Sequence, residues 1–403
     1  MLNKNIFLKN FSFNSQKFYR NLSKTKKVYK IFESDLKNFD IPLLKSYEKN
    51  YTFGFSQKTI KKFSRYKNII IIGMGGSILG AKSIYFFLQP KIKKKVFFFD
   101  NLDEHLHLKF NKIKNLKNSC FIIVSKSGNT LETIVNFSIV FSKSLVKNKL
   151  IIITEARDSS LVNMANELNA EIIVHKDYIG GRYSVLSEAG MFPAALMGLN
   201  INKFRNLKKL IKNKNFISSL IKNVASIYTL NKKGIKSSVI FNYDSNLNNL
   251  CYWYQQLISE SLGKKGNGIT PIFSTGPKDH HSVLQLYLDG PKDKFFTFLS
   301  SSYKIHKYKI PSAIIPDSMK FLKNRDLRSI INVQSQATKN IFKLKKIPFR
   351  QIIFNKNNEE ELGMIFTFFV LETILLARLM NINPFDQPAV EQIKVKTKKI
   401  LLR

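Results

Sequence analysis

IIIIGMGGSILG, residues 69–80, reads as a buried strand, a glycine turn and the start of a helix. Four successive isoleucines show no polar alternation, which suits a strand covered on both faces. Gly73, Gly75 and Gly76 free the backbone for a tight turn, and such a turn between strand and helix aims N–H groups at a phosphate. The dinucleotide fingerprint wants a third glycine where this chain has Ile78, although Asp100, closing KVFFFD, stands where the ribose-binding acid would. A nucleoside-triphosphate loop is excluded, because no G-K-[ST] follows. On this segment alone a dinucleotide and a small phosphorylated sugar both stay open.

Working outward, KNIIIIG (67–73), KVFFFD (95–100), CFIIVSKSG (120–128), KLIIITE (149–155) and EIIVHK (171–176) are strand candidates separated by helical stretches. Short apolar strands alternating with helices predict a parallel, doubly wound α/β unit. The chain then divides into an N-terminal helical arm (1–50), a first unit (51–200) and a second unit (201–403). The second half offers SSVIFNY (237–243) as a strand, a helix around NNLCYWYQQLISESLG, and LQLYLDGPKDKFFTFL, whose Asp-Gly predicts a hairpin of two alternating strands. A long apolar helix near 361–380 and a basic C-terminal helix follow. No low-complexity linker separates the halves, so they are expected to be in contact.

A second loop, VSKSGNTLET (124–133), repeats the strand–turn–helix plan with Ser125, Ser127, Thr130 and Gly128. Hydroxyls and N–H groups at a helix N-terminus suit a phosphate dianion. With Ser77 in the first loop, two neighbouring strands end in anion sites. A dinucleotide fold needs only the first; one sugar phosphate held between two loops accounts for both. In IGGRYSVLSEAGMFPAALMGLN (179–200), Gly180 and Gly181 allow close backbone approach, and Arg182 presents a permanent cation with a planar donor fork. In YQQLISESLGKKGNGITPIFSTGPKDHHSVLQLYLDGP (254–291), Gln256 and Glu260 lie one turn apart on a helix, and His280 and His281 precede a predicted strand. A carboxylate and an imidazole near one site are materials for proton transfer. In NPFDQPAVEQIK (383–394), Lys394 falls about two turns after Gln387 and is expected on the same side.

Composition sets outer bounds. Among 403 residues, 66 are Lys or Arg and 27 are Asp or Glu, a formal charge of +39. The lysines are spread along the chain with no zinc-finger, homeodomain or RNP-type pattern beside them, so the charge is read as composition and not as a nucleic-acid or membrane surface. Such a field still draws anionic metabolites toward a cleft. Cys120 and Cys251 sit among apolar neighbours, too few and too far apart for a disulfide framework, and form no metal-ligand spacing. No uninterrupted apolar run reaches membrane-spanning length, and the basic N-terminus is read as an ordinary arm, so cytoplasm is the expected location.

GMGGSILG, SKSGNTLET, GGRYSVLS, ESLGKKGNGITP, DHHSVLQLYLDGP and NPFDQPAVEQIK, in that order over residues 69–400, resemble the phosphoglucose isomerase family in its shorter bacterial form. The resemblance implies an α/β fold of two sugar-isomerase (SIS) domains, each a three-layer α/β/α sandwich with a mainly parallel sheet. It implies a homodimer with active sites at the subunit interface. It also implies glucose 6-phosphate and fructose 6-phosphate as substrates, interconverted through a cis-enediol in glycolysis and gluconeogenesis. Carried over by motif, the catalytic residues are Glu260, His281, Lys394 and Arg182, with His281 donated by the neighbouring subunit. Gly76, Ser77, Ser125, Lys126 (through its backbone), Ser127, Thr130, Gln256 and Gln387 are the implied contacts to the sugar phosphate. Asn129 and Ala389 depart from the residues many members carry, Thr and Gly.

The chemistry is coherent with these residues. A glutamate is ionised at neutral pH and can shuttle a proton, a fixed arginine can stabilise an enediolate, and no step calls for a metal or redox cofactor. A non-catalytic sugar-phosphate sensor would keep both serine loops without needing Glu260, His281 or NPFDQP. An isomerase for mannose 6-phosphate or an amino-sugar phosphate would share loops and base.

Overall fold

The computed structural model describes residues 16–113, 116–144, 149–303 and 308–403. Helices α1 (Gln16–Asn38) and α2 (Gln57–Ser64) lead into β1 (Asn68–Gly73), α3 (Gly76–Leu88), β2 (Lys95–Phe99), α4 (Glu104–Asn111), β3 (Ser119–Val124), α5 (Leu131–Ser144), β4 (Leu150–Thr154), α6 (Ser160–Glu167) and β5 (Glu171–Val174). These five strands form one parallel sheet in the order β2-β1-β3-β4-β5. Helices α7 (Glu188–Leu196), α8 (Leu207–Lys212) and α9 (Lys214–Lys232) carry the chain to a second parallel sheet. Its strands β6 (Ser237–Asn242), β7 (Thr270–Thr275), β8 (Lys294–Ser301) and β9 (Phe349–Phe354) run in the order β7-β6-β8-β9. Helices α10 (Asn248–Leu262), α11 (Leu284–Asp289), α12 (Leu327–Leu344), α13 (Glu359–Met380) and α14 (Ala389–Leu401) complete the chain.

The side-chain period of two explains how the layers assemble. In β1, Ile69 and Ile71 enter a large central core, while Ile70 and Ile72 enter a separate core on the outer face. In the second sheet, Ile240, Phe295, Leu299 and Phe354 face that same central core, while Val239, Phe241, Phe296 and Phe298 face an outer one. The central core is therefore common to both sheets. It holds the apolar helix α13, whose start is capped by the Asn358 side chain and flanked by Glu359, Glu360 and Glu361, and which ends on left-handed Asn381. This helix is long and apolar enough to span a membrane, but 89% of its apolar window is buried inside the fold. Its length belongs to the core.

The five strand candidates of the first half are observed, as is 237–243. The hairpin expected in LQLYLDGPKDKFFTFL is not. Leu284–Asp289 is a helical turn in which Leu284, Tyr287 and Leu288 face the outer core while Leu286 is exposed. β8 is covered on both faces and pairs in parallel with β6 and β9. Spacing of 284, 287 and 288 satisfies a helical face as well as the alternation satisfies a strand, and burial beneath two sheet neighbours decides between them. Consequently His280 and His281 lie in a 3-10 turn, Lys278–His281, ahead of a short helix and not of a strand. Cys120 and Cys251 are free and buried, and burial pushes the Cys120 thiol up to about 12.

Candidate active site

The order of the first sheet reverses between β1 and β3, so the loops leaving these strands open a crevice at their carboxyl ends. The GMGGS and SKSGNT loops are the two sides of that crevice. In the second of them Ser125, 2% exposed, shares a hydrogen bond with Thr130 (Oγ to Oγ1, 2.9 Å), and the Ser127 hydroxyl accepts from the Asn129 N–H at 3.3 Å. The Lys126 ammonium donates to the Asp177 carbonyl at 2.6 Å and pairs with Glu155 at 3.4 Å, so it turns away and only its backbone faces the loop. Among the described residues, the N–H groups of Lys126, Ser127 and Thr130 and the Ser77 hydroxyl have no protein partner. Free N–H and O–H donors at the start of α5 and α3 can hold a dianion. Asp100, the would-be ribose acid, is paired instead with Lys82 of α3 at 2.5 Å.

The first loop is pressed directly against the Gly-Gly-Arg turn. A Cβ on Gly76 would sit 2.1 Å from the Gly181 carbonyl oxygen and 2.7 Å from the Arg182 nitrogen. Gly75, at φ +51°, faces the Gln256 amide, 2.8 Å from where its own Cβ would lie. Only glycine permits these approaches, and they bring the loop after β1 against α10 and the 182 turn.

Arg182, 1% exposed, is the hub. Its Nε donates to the Ser261 hydroxyl (2.9 Å) and its Nη1 to Glu260 Oε2 (3.0 Å) and Gln387 Oε1 (2.7 Å). Its Nη2 donates to the carbonyls of Pro384 (2.5 Å) and Asp386 (3.0 Å). Every N–H of the guanidinium is engaged, as burial of a permanent cation requires. Gln256 Nε2 donates to Glu260 Oε1 at 2.9 Å, the i,i+4 contact of one helix face, so both carboxylate oxygens are held. The Gln256 carbonyl oxygen is buried with no partner. Arg182, Gln256, Glu260 and Gln387 are thus brought together from three distant segments.

His281 and Lys394 are not part of that group within one chain. His281 is exposed and makes no hydrogen bond among the described residues. Lys394, 64% exposed, pairs with Glu391 on its own helix at 2.7 Å and, among the described residues, makes no hydrogen bond or ion pair with Arg182, Glu260 or Gln387. His280 instead points inward, its Nε2 2.6 Å from the Tyr243 hydroxyl, and burial holds its pKa below the usual histidine range. Three supporting groups escaped the sequence reading. Ser261 bridges Arg182 and the Tyr183 hydroxyl, Tyr183 donates to the Pro384 carbonyl (2.9 Å), and Lys264 pairs with Asp386 at 2.6 Å. Adjacency of Ser261 to Glu260 and of Tyr183 to Arg182 was the only sequence signal for the first two.

A family model described as phosphoglucose isomerase matches residues 43–284. Glucose-6-phosphate isomerase of Methanocaldococcus jannaschii is 35% identical over 347 residues, covering 83% of this chain and 84% of that protein. The enzyme of the same name from Campylobacter jejuni is 32% identical, covering 83% of this chain and 85% of its own. Among solved structures, a hypothetical protein from Thermus thermophilus superposes with a TM-score of 0.83 at 21% identity, covering 98% of this chain and 99% of its own. A glucose-6-phosphate isomerase from Chlamydia trachomatis superposes at 0.72 with 18% identity, covering 85% and 71%. At that identity the structural likenesses speak for the fold, two α/β/α units with parallel sheets, while the sequence matches speak for ancestry. This chain belongs to the phosphoglucose isomerase family.

Proposed function

We propose that in this chain, which as a family member interconverts glucose 6-phosphate and fructose 6-phosphate, Glu260 is the base that carries the proton between C1 and C2 of a cis-enediol. The observation that carries this is the position of the Glu260–Arg182–Gln256 group, held against Gly75 and Gly76 at the mouth of the hydroxyl-lined crevice. Ser77, Ser125, Ser127 and Thr130, with the N–H groups around Lys126, hold the 6-phosphate. The remote phosphate then supplies binding energy away from the reacting carbons. The unpartnered Gln256 carbonyl takes a sugar hydroxyl as donor. Arg182 acts as a fixed positive charge beside the developing enediolate, since its N–H groups are already engaged. Gln387, which accepts from the same Arg182 nitrogen as Glu260, lines the entry for the substrate.

Ring opening needs a further acid and base, and His281 and Lys394 have the right chemistry. Their exposure supports a homodimer in which each subunit's His281 serves the other's Glu260. The α14 helix bearing Lys394 has no buried residue and exposes Val390, Ile393, Ile400 and Leu401, which supports its docking against a partner or a closed cleft. We place the enzyme in the cytoplasm, in glycolysis and gluconeogenesis, where hexose 6-phosphates turn over.

A complementation assay tests both the base and the dimer. Glu260→Gln and His281→Ala homodimers are each expected to be nearly inactive. Unfolded together and refolded, they should regain about a quarter of wild-type turnover, because half the dimers are mixed and each mixed dimer has one intact site. No regain would show that His281 works within its own chain or not at all.

A further inference from the structure

Ser261 and Tyr183 each follow a residue of the active-site group, Glu260 and Arg182, and both are fully buried. Counting protons fixes the direction of the hydrogen bonds between them. The Pro384 carbonyl can only accept, so the single Tyr183 O–H proton lies in that 2.9 Å contact. In the 2.9 Å contact between the two hydroxyls, Ser261 is therefore the donor. Its oxygen then accepts from Arg182 Nε at 2.9 Å. Burial holds the Tyr183 phenol above its ordinary pKa, so it stays a donor.

The bonds run from Arg182 to Ser261 to Tyr183 to Pro384 and close into a ring, because Arg182 Nη2 donates to the same Pro384 carbonyl at 2.5 Å. Each hydroxyl both donates and accepts, so neighbouring bonds polarise one another. The guanidinium also lies against the Tyr183 ring, 5.1 Å from its centre, and the Tyr47 hydroxyl donates to the Tyr183 carbonyl at 3.1 Å. Of the acceptors around Arg182, a base at Glu260 is the one that changes charge during turnover. Once that carboxylate is protonated its hold on Nη1 weakens, since bonds to an ionised acceptor are about twice as strong as neutral ones. Among the described residues Nε has one acceptor, Ser261, and that acceptor stays neutral throughout.

We propose that Ser261 and Tyr183 are positioning residues for the isomerisation, a hydroxyl pair that keeps the Arg182 cation fixed beside the reacting carbons while Glu260 holds the proton. This role rests on Glu260 being the base. Neither hydroxyl bonds to the Ser77 or 125–130 loops, so the pair acts on the chemical step and not on phosphate binding. A cation displaced by about 1 Å stabilises an enediolate less than one held in place beforehand.

The test is a double-mutant cycle on the full chain, read by kcat, KM and two competitive inhibitors. Ser261→Ala leaves Arg182 Nε without its acceptor and should lower kcat about 10–100-fold, with KM for fructose 6-phosphate within about twofold of wild type. Tyr183→Phe keeps the ring against the guanidinium, removes only the hydroxyl, and should lower kcat about tenfold. Because the two hydroxyls act in one chain, the double variant should fall no more than about twofold below Ser261→Ala. Arabinonate 5-phosphate carries a carboxylate that stands for the planar anionic enediolate, and its inhibition constant should rise in step with the loss of kcat. Sorbitol 6-phosphate has no charge at that end, and its constant should stay unchanged. Wild-type kcat in Tyr183→Phe, losses that multiply in the double variant, a lowered melting temperature with unchanged kcat, or equal weakening of both inhibitors would each overturn the assignment. Should Ser261→Ala fail to fold, kcat and the two inhibition constants of Tyr183→Phe decide. Glu260→Gln measured alongside separates the two readings. If it stays active while Tyr183→Phe loses kcat, the base is misassigned and the hydroxyl pair is not; if it is inactive while Tyr183→Phe matches wild type, only the pair is refuted.

Discussion

Replacing Gly76 by alanine is a direct test of how the crevice is held in register with Glu260, the proposed base. The added Cβ would lie 2.1 Å from the Gly181 carbonyl oxygen, 2.2 Å from its carbon and 2.7 Å from the Arg182 nitrogen, all backbone atoms. Separations below 3.0 Å are not tolerated, so the loop after β1 must move by about 0.9 Å relative to the 182 turn. Overpacking of this kind costs about 1–3 kcal/mol of stability. The kinetic consequence is larger, because Ser77 is carried by the moving loop while Glu260 is fixed to Arg182. A misplacement near 1 Å costs about 100-fold in turnover. In a coupled assay with fructose 6-phosphate, Gly76→Ala should therefore lose about two orders of magnitude in kcat/KM, with kcat falling and KM rising together. Gly234→Ala is the control. Gly234 has φ +90° with nothing within 4 Å, so alanine there strains the backbone by about 1 kcal/mol yet touches no site. If Gly76→Ala kept near-wild-type kcat/KM, or if its loss matched that of Gly234→Ala at equal melting temperature, the contact between loop and turn would not be what positions the substrate.

Three further outcomes follow from the same geometry. Glu260→Gln should lose about 10²–10⁴-fold in turnover, while fructose 6-phosphate binding measured by calorimetry persists through the hydroxyl loops; near-wild-type turnover would remove Glu260 as the base. Arg182→Lys keeps the charge but cannot reach Ser261, Glu260, Gln387 and two carbonyls at once, so kcat should fall and protease cleavage near 383–388 should accelerate; unchanged cleavage would mean the segment is held by Lys264 alone. His280 has a depressed folded pKa, burial being the main cause, so below about pH 6.5 the unfolded chain takes the proton first and stability declines as pH falls. A His280→Gln variant should show a flatter melting temperature between pH 6.5 and 5, and an unaltered slope would argue against burial of the ring.

What could be read from the sequence was whatever rests on local pattern. Four isoleucines followed by glycines specify a buried strand and a turn without help from the rest of the chain, and the five strands of the first sheet were legible for that reason. The second sheet was harder because its signals are mixed. β9 contains Arg350 and Gln351 and looks polar, yet Arg350 is fully buried with its guanidinium held by Glu372 of α13, Thr297 and Asn223. β7 holds Pro271, which an edge strand tolerates. The active-site group follows the same division. Glu260 and Gln256 were readable as one helix face, whereas their convergence with residues 182 and 387 is tertiary and came only through the family resemblance.

That convergence explains why the site spans both halves. The hydroxyl-lined loops proposed to hold the phosphate belong to the carboxyl edge of the first sheet, while Glu260, the proposed base, rides on α10, which follows β6 of the second sheet and presents Gln256 and Glu260 to that edge. A proton transfer needs the two held to within a fraction of an ångström. Loops alone would not hold them so closely, but the halves share one apolar core in which Ile69 and Ile71 of β1, Leu257 of α10 and the length of α13 are members. A close-packed interior is stiff, so the distance between the hydroxyl-lined loops and Glu260 is set by the core. The buried arginine adds the chemical lock. Its cation is fully desolvated and stable only while Glu260, Ser261 and the 384–387 segment all supply acceptors, so a site missing any one of them is penalised before substrate arrives.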